Sequence, residues 1–510
     1  MSEADYPDAT TRRFITFSVM AATIMNALDS TIANVALPHI QGSVSASQDE
    51  ITWVLTSYIV AAAIFTPLTG WLAGRFGRKR LMLVSIVGFT VASALCGLAT
   101  GLSELVLFRV LQGMFGAALV PMSQAILLDI NPPDRHGPAM AIWGMGAVLG
   151  PIIGPALGGW LTDSFSWRWV FYINLPIGIV TFFGISAFLS ETRNENQSAL
   201  DFLGFAFLAL GIGSLQLMLD RGQQQDWFNS LEIWAEAVAG GLFLYLFVAH
   251  VVTARKPFIE LALFTDRNFV LGSVFGFFLG VLLFSVLALL PPMLEQLMGY
   301  PVVLTGLVTA PRGVGTMISM MLVGQLIRHF DVRILILAGL VLSGASMHLM
   351  SSFTLGMDET LVIVSGFVQG LGTGLIFVPL STLAFATLDQ RLRNEGAAMF
   401  TLIRNIGSAI GISVLQAMTI RNAATVHSRL VEGIRPDNPV MEWHLPDFDF
   451  DLPSAVAGLN AEITRQAAMV SYVDAFWALF VVTLAMAPMI LFMRPARHKP
   501  DDEDLGLHME

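Results

Sequence analysis

The chain has 510 residues, of which 55% are hydrophobic and 13% charged, with a formal net charge of −11. Soluble domains carry about 25% charged residues, so a chain of mean hydropathy +0.69 cannot cover a water-facing surface and must face lipid. The negative balance offers no basic footprint for nucleic acid, and a single cysteine, Cys96, excludes a disulfide framework.

A helix needs about 20 apolar residues to cross a bilayer core. Fourteen runs meet that length: 14–36, 51–71, 81–101, 104–128, 138–160, 169–190, 200–219, 232–253, 268–290, 303–327, 334–353, 360–386, 396–418 and 471–493. The first shows no cleavage pattern and continues into a motif, so it reads as a retained span. An even number puts both termini on one side. Of the 27 Lys and Arg residues, 18 fall in segments on that side, six fall opposite, and three lie inside spans. This bias predicts a multi-pass protein in the lipid bilayer with both termini cytoplasmic.

In span 1, LDSTIANVALP (28–38) puts Asp29 in the membrane, with Asn26 and Asn34 nearby. The loop after span 2 reads GWLAGRFGRKR (70–80), and span 4 carries Arg109 and Gln112 in RVLQG (109–113). Span 5 contains GAVLGPIIGPALGG (146–159). Its Gly146, Gly150, Gly154 and Gly158 share one helix stripe, where a neighbouring backbone can approach closely. Pro151 and Pro155 weaken the hydrogen-bond ladder and permit a bend, and Gly159 ends the run. Both ordinary tight packing and a sliding, bending surface fit this stripe. Span 10 holds Arg312 (APRGVG), and span 13 holds Arg404 with Asn405 beside it (LIRNIG). Segment 419–470 is the one long outer loop, acidic in DFDFDLPS (447–454) and expected to end in a short helix, AEITRQAAMVSY. It reads either as a solvated connector or as a docking surface for an envelope partner.

Three segment pairs match at nearly constant offset. GWLAGRFGRKRL (70–81) resembles GQLIRHFDVRIL (324–335), VLQG and VPMS (110–123) resemble FVQG and VPLS (367–381), and HGPAMAIW (136–143) resembles EGAAMFTL (395–402). Spans 1–6 and 9–14 are therefore two copies of one unit, with spans 7 and 8 inserted. The expected organisation is an N-terminal six-helix bundle (1–195), an inserted pair (196–266), spans 9–13 (267–418), a periplasmic loop (419–470), and span 14 with a cytoplasmic tail (471–510). Parallel repeats imply a pseudo-twofold axis along the membrane normal, a central cavity and alternating access. No phosphate-binding loop G-x-x-x-x-G-K-[ST] is present, so this chain does not use ATP by that device.

GWLAGRFGRKR is similar to the loop signature of the major facilitator superfamily. LDSTIANVALP, RVLQG and the span 5 glycine run resemble signatures of its drug:proton antiporters, and fourteen spans with an inserted pair resemble the EmrB/QacA-type branch. The resemblance covers nearly the whole chain. It implies an all-α polytopic membrane protein with the major facilitator fold, two six-helix bundles plus two inserted helices. It implies conformational roles for Gly70, Gly74, Arg75, Gly77, Arg78 and the span 5 stripe, which in the family is taken to seal the halves against leak. The sequence departs at Gly74, where the family usually carries an acidic residue that helps latch the halves. The branch includes inner-membrane pumps that work with a periplasmic adaptor and an outer-membrane channel, so the resemblance implies the bacterial inner (plasma) membrane and admits such partners, beside protons and small-molecule substrates.

Ionisable groups in a span cost several kcal/mol unless they face a cavity or a partner. Asp29 and Arg109 both lie roughly 8–10 Å below the outer surface at about 1.5 Å per residue. They read as a proton-titrating carboxylate with a conditional partner, or as a permanent buried ion pair; Gln112 reads as hydrogen-bonding support. Arg312 and Arg404 lie near the midplane with no acid at matching depth. They leave a positive cavity suited to neutral or weakly acidic amphipathic compounds, or they cap backbone carbonyls where Gly and Pro interrupt helices. Asn26, Asn34, Tyr58, Trp143 and Asn405 complete the candidate cavity lining. Nine histidines include no metal-spaced pair, so neither a metal centre nor a membrane enzyme is expected. The function expected is proton-driven multidrug efflux by antiport. The rivals are export of an endogenous metabolite or siderophore and, against the glycine stripe, proton symport for uptake.

Overall fold

A computed structural model describes residues 6–132, 135–192, 200–255, 257–327, 329–435, 448 and 451–493. Arg193, Lys256, Arg328, the basic residues after 493 and Asp447, Asp449 and Phe450 of DFDFDLPS lie outside the described residues. The spanning helices are α1 (Ala9–Val44), α2 (Trp53–Phe65 and Leu68–Phe76), α3 (Arg78–Leu98), α4 (Leu102–Gly116 and Leu119–Ile130), α5 (His136–Ser164), α6 (Trp169–Tyr172 and Asn174–Phe188), α7 (Phe202–Arg221), α8 (Leu231–Thr253), α9 (Arg267–Pro292), α10 (Val302–Leu326), α11 (Val332–Met350), α12 (Glu359–Ala386), α13 (Arg393–Glu432) and α14 (Pro453–Met486). Among the described residues, 13 are continuous enough to cross a bilayer; α2 is a pair bent by 57°. The bend falls at Thr66–Pro67, where the proline ring and missing N–H break the ladder.

The two units repeat one another in backbone detail. An added Cβ on Gly113 (α4) would lie 2.4 Å from the Tyr58 carbonyl oxygen of α2, and one on Gly370 (α12) 1.9 Å from that of Arg312 on α10. A Cβ on Gly150 (α5) would lie 2.6 Å from the Ala27 backbone of α1, and one on Gly407 (α13) 2.2 Å from the Phe277 carbonyl of α9. Glycine is thus demanded at matching crossings of both units. The inserted α7 packs on α2, and α8 packs on α7. Leu231 and Tyr245 of α8 are 85% and 70% exposed, as an outer, lipid-facing helix requires.

The halves meet at the face where α1 begins. Arg393 of α13 donates to Asp129 of α4 at 2.9 Å, and Asp129 also pairs with Arg78. Trp143 of α5 stacks on Phe377 of α12 with ring centroids 5.7 Å apart. In the same seam, an added Cβ on Gly324 (α10) would lie 3.6 Å from Ala141 Cβ on α5.

Segment 419–470 differs from expectation. It is not a loop with one short helix: α13 runs on to Glu432 and α14 already begins at Pro453, so a boundary at 418/419 cuts a continuous helix. Residues 419–432 contain neither Gly nor Pro, while Pro453 sits in the first turn where proline is tolerated. A polar helix continues beyond the bilayer when nothing stops it, and His427 joins Asn460 across the two projecting ends at 3.0 Å.

Candidate proton-coupling and substrate site

Asp29 and Arg109 are both fully buried, and α1, α2, α4 and α6 converge on them. Arg109 Nη1 donates to Asp29 Oδ2 at 2.7 Å and to Gln112 Oε1 at 2.8 Å, while its Nε donates to the Val54 carbonyl at 3.0 Å. Gln112 Nε2 donates to Asp29 Oδ1 at 2.7 Å, and Asn174 Nδ2 donates to the same oxygen at 2.9 Å. Asn174 is itself placed by Ser93 Oγ, whose own proton goes to the Phe171 carbonyl. The guanidinium lies 4.2 Å over the Tyr58 ring, a cation–π contact in a desolvated setting. Asn26 fixes that ring by donating to the Tyr58 hydroxyl at 3.0 Å and to the Gly116 carbonyl. A charge buried in apolar surroundings persists only when paired and hydrogen-bonded; both oxygens of Asp29 are so engaged, while Arg109 Nη2 and Asn174 Oδ1 are buried without a hydrogen-bond partner among the described residues.

The glycine stripe is part of the same construction. Gly150 meets Ala27 and Leu28, the residues next to Asp29, while Gly154 and Gly158 face Thr31 and Ile32. Gly146 has only ordinary contact, its nearest neighbour being Met20 Cε at 3.5 Å from the added Cβ. The stripe therefore lays α5 on α1 within one half. Pro151 and Pro155 remain inside the continuous helix α5.

The second half is built differently. Arg312 donates to the Leu283 carbonyl of α9 at 2.9 Å, the carbonyl-capping alternative open to it in the sequence. Arg404 lies 5.7 Å from the Phe377 ring, and its Nε has no hydrogen-bond partner among the described residues. Arg404, Phe377 and Trp143 thus form one stack across the seam. Trp143, Tyr58 and Gln112 are buried in this conformation, whereas Asn34 and Asn405 are exposed.

In the loop motif, Gly77 has φ +95° and a Cβ there would strike the Glu191 carboxylate, which accepts from the backbone N–H groups of Lys79 and Arg80. Gly70 lets Glu395 of the other half approach: a Cβ would sit 2.8 Å from its Cα. Arg75 is exposed and Gly74 buried. The acid that joins the halves comes from Asp129 on α4, not from position 74.

Sequence reasoning missed Asn174, Ser93, Asp129, Arg393 and Phe377. Asn174 was visible as a polar residue in an apolar run. Asp129 lay one residue past the limit drawn for span 4.

Two duplicated six-helix units, closed on one another at one face and carrying a buried ion pair in one of them, define a membrane carrier. The chain belongs to the Major Facilitator Superfamily, whose family model matches residues 19–412. It is 35% identical to the multidrug export protein EmrB of Haemophilus influenzae, over 94% of this chain and 95% of that one. It is 34% identical to EmrB of Escherichia coli K12 over the same shares. Its identity to the fatty acid resistance protein FarB of Neisseria gonorrhoeae is 33%, over 97% of this chain and 99% of that one. Among solved structures it is similar to the proton:xylose symporter XylE, with TM-score 0.64 and 14% identity over 96% of this chain and 98% of that one. The human organic anion transporter MFSD10 gives TM-score 0.59 and 15% identity, covering 92% and 99%. These two likenesses show the shared fold.

Proposed function

We propose that the chain is a multidrug exporter of the bacterial inner membrane, driven by the proton-motive force and moving amphipathic neutral or weakly acidic molecules outward against protons. The observation that carries this reading is the Asp29–Arg109 pair, closed by Gln112 and Asn174 and fully buried in one half. The export names of the relatives support the direction of transport. With α1 starting in the cytoplasm, the Asp129–Arg393 ion pair and the Trp143–Phe377 stack close the inner side. Protonation of Asp29 removes one charge of the pair and releases Arg109, so a proton entering from outside changes how α1 and α4 hold together. The substrate occupies the cavity near Arg404, Arg312, Asn34 and Asn405, where positive charge favours neutral and acidic compounds over dications. The loop glycines and Arg75, Arg78 and the span 5 stripe serve the movement between states.

The ends of α13 and α14 support a place for a periplasmic adaptor leading to an outer-membrane channel. Beyond residue 418, α13 continues to Glu432, a rise of about 20 Å at about 1.5 Å per residue. Export of an endogenous metabolite by the same cycle is the second reading, since the cavity does not name its cargo.

The test is proton flux in proteoliposomes under an imposed pH gradient, reported by an interior dye while neutral, acidic and cationic amphipaths are added in turn. Proton movement opposite to substrate, lost in Asp29→Asn with substrate binding retained, is expected. Movement in the same direction overturns antiport, and antiport surviving in Asp29→Asn reduces Asp29 to a structural role.

A further inference from the structure

The inserted pair α7–α8 has no counterpart in the duplicated units, yet the last turn of α7 is tied to three elements by three consecutive residues. The Leu219 carbonyl accepts a 2.7 Å hydrogen bond from Ser413 Oγ on α13. The Asp220 carboxylate accepts a hydrogen bond from Thr56 Oγ1 on α2. Arg221 pairs with Glu232 on α8 and lies 5.0 Å from the Trp53 ring centroid on α2. Neighbouring residues on a helix point to different sides, which lets one turn serve three partners.

The receiving turn of α2 is the one that holds the Asp29 cluster. Its Val54 carbonyl accepts from Arg109 Nε, and its Tyr58 ring lies under the guanidinium. Thr56, 3% exposed, sits between them in sequence and is turned to α7. Residues 54–58 are thus held between two carboxylates, Asp29 through Arg109 on one side and Asp220 on the other. Asp220 differs from Asp29 in its partners: among the described residues no cation forms an ion pair with it, and Arg221 beside it is engaged by Glu232. The charged group near it is Arg221 on its own helix, and Glu232 and Glu236 of α8 lie about that arginine. From α2 and α13 the side chains at this junction are Trp53, Thr56 and Ser413, none of them charged. Such a carboxylate at the membrane end of an inserted helix has no structural need to be an acid rather than Asn, since Asn accepts the same hydrogen bond.

We propose that Asp220 is a second proton-carrying carboxylate of the transport cycle, acting on the Asp29–Arg109 pair through residues 54–58 of α2. The proposal rests on the proton-driven export reading. A proton from the water on the side where α7 ends binds a carboxylate oxygen of Asp220, leaving a neutral acid. The Thr56 hydroxyl then loses an ionic acceptor for a neutral one, a bond roughly half as strong. The α2 turn is loosened from α7, and with it the Val54 and Tyr58 support of Arg109. The proton returns to water when Asp220 deprotonates, and the bond to Thr56 re-forms. The inserted pair is then a working part of the coupling device, joined to α13 of the other half through Ser413.

The experiment uses the full chain in proteoliposomes with N-phenyl-1-naphthylamine, a neutral amphipath, as the transported fluorescent probe. Transport driven by a pH gradient is followed at a series of pH values, and probe binding to the purified protein is measured in parallel. Asp220→Asn is expected to lose gradient-driven transport and its pH dependence while binding the probe as the unaltered chain does. Asp220→Glu is expected to restore transport with a displaced pH profile, and Thr56→Val to displace the profile without abolishing transport. Unchanged transport and pH profile in Asp220→Asn overturn the proposal. Loss of probe binding together with transport, unrescued by Asp220→Glu, also overturns it, because Asp220 is then only an anchor. If the unaltered chain moves the probe without regard to the gradient, the export reading falls and this role with it.

Discussion

Arg109 donates to Asp29, Gln112 and the Val54 carbonyl, so its removal strands more than one group. Truncating one member of a buried ion pair costs about 3–5 kcal/mol, whereas replacing both by neutral groups of similar shape is far less costly. Arg109→Leu is therefore expected to lower the thermal midpoint sharply. Adding Asp29→Asn to Arg109→Leu is expected to recover a large part of that loss, since the two residues touch and their effects do not add. Thermal unfolding of the two single variants and the double variant in detergent checks this; additive losses in the double variant refute it. The pair itself was legible because a charge in an apolar run stands out. Asn174 and Ser93 were not, because a small polar residue in a span is common and only the fold brings residues 145 and 81 positions apart into contact. The contrast between halves was also hidden. The match of VLQG to FVQG puts Gly366 where the first unit has Arg109, and the match of GWLAGRF to GQLIRHF puts Arg312 where it has Tyr58. With no side chain at 366, an added Cβ would lie 3.6 Å from Arg312 Cβ, so the second unit trades a neutralised pair for an arginine that reaches a carbonyl.

At the scale of elements, the glycines separate into those that fix a crossing and those that do not. At Gly113 and Gly370 the obstructing atom is a backbone oxygen of the neighbouring helix, which cannot swing aside as a side chain can. Gly113→Ala and Gly370→Ala are each expected to cost about 1–3 kcal/mol by overpacking. Nothing lies within 4 Å of a Cβ built on Gly42 or Gly458, and both sit inside helices. Gly→Ala at either site is expected to add about 0.5–1 kcal/mol through helix propensity. Within the span 5 stripe the same reasoning predicts that Gly146→Ala is tolerated and Gly150→Ala is not. Melting temperatures of the six variants decide the matter, and equal shifts at Gly113 and Gly42 would contradict it. The helices were legible from apolar length alone, since a bilayer leaves the backbone no alternative to helix. The extensions of α13 and α14 were not, because hydropathy reports where lipid ends and says nothing of where a polar helix stops.

At the scale of the whole molecule, alternating access requires that the seam closed at one face should open later in the cycle. The seam is made of Asp129 with Arg393, Trp143 on Phe377, and the close approach of α5 to α10. The last of these can be locked without new chemistry. A Cβ at Gly324 lies 3.6 Å from Ala141 Cβ, within the span of about 3.5–4.5 Å that a disulfide bridges. Cys96, the native cysteine, is buried on α3 and does not compete. The double variant Ala141→Cys/Gly324→Cys is expected to cross-link rapidly under mild oxidation and to lose transport. Transport should return on reduction, and each single variant should remain active under oxidation. A cross-linked carrier that still transports would mean that α5 and α10 stay together throughout the cycle. The moving boundary would then have to lie elsewhere, at the junction of α7 with α2 and α13, and the inserted pair would become the hinge instead of a side wall.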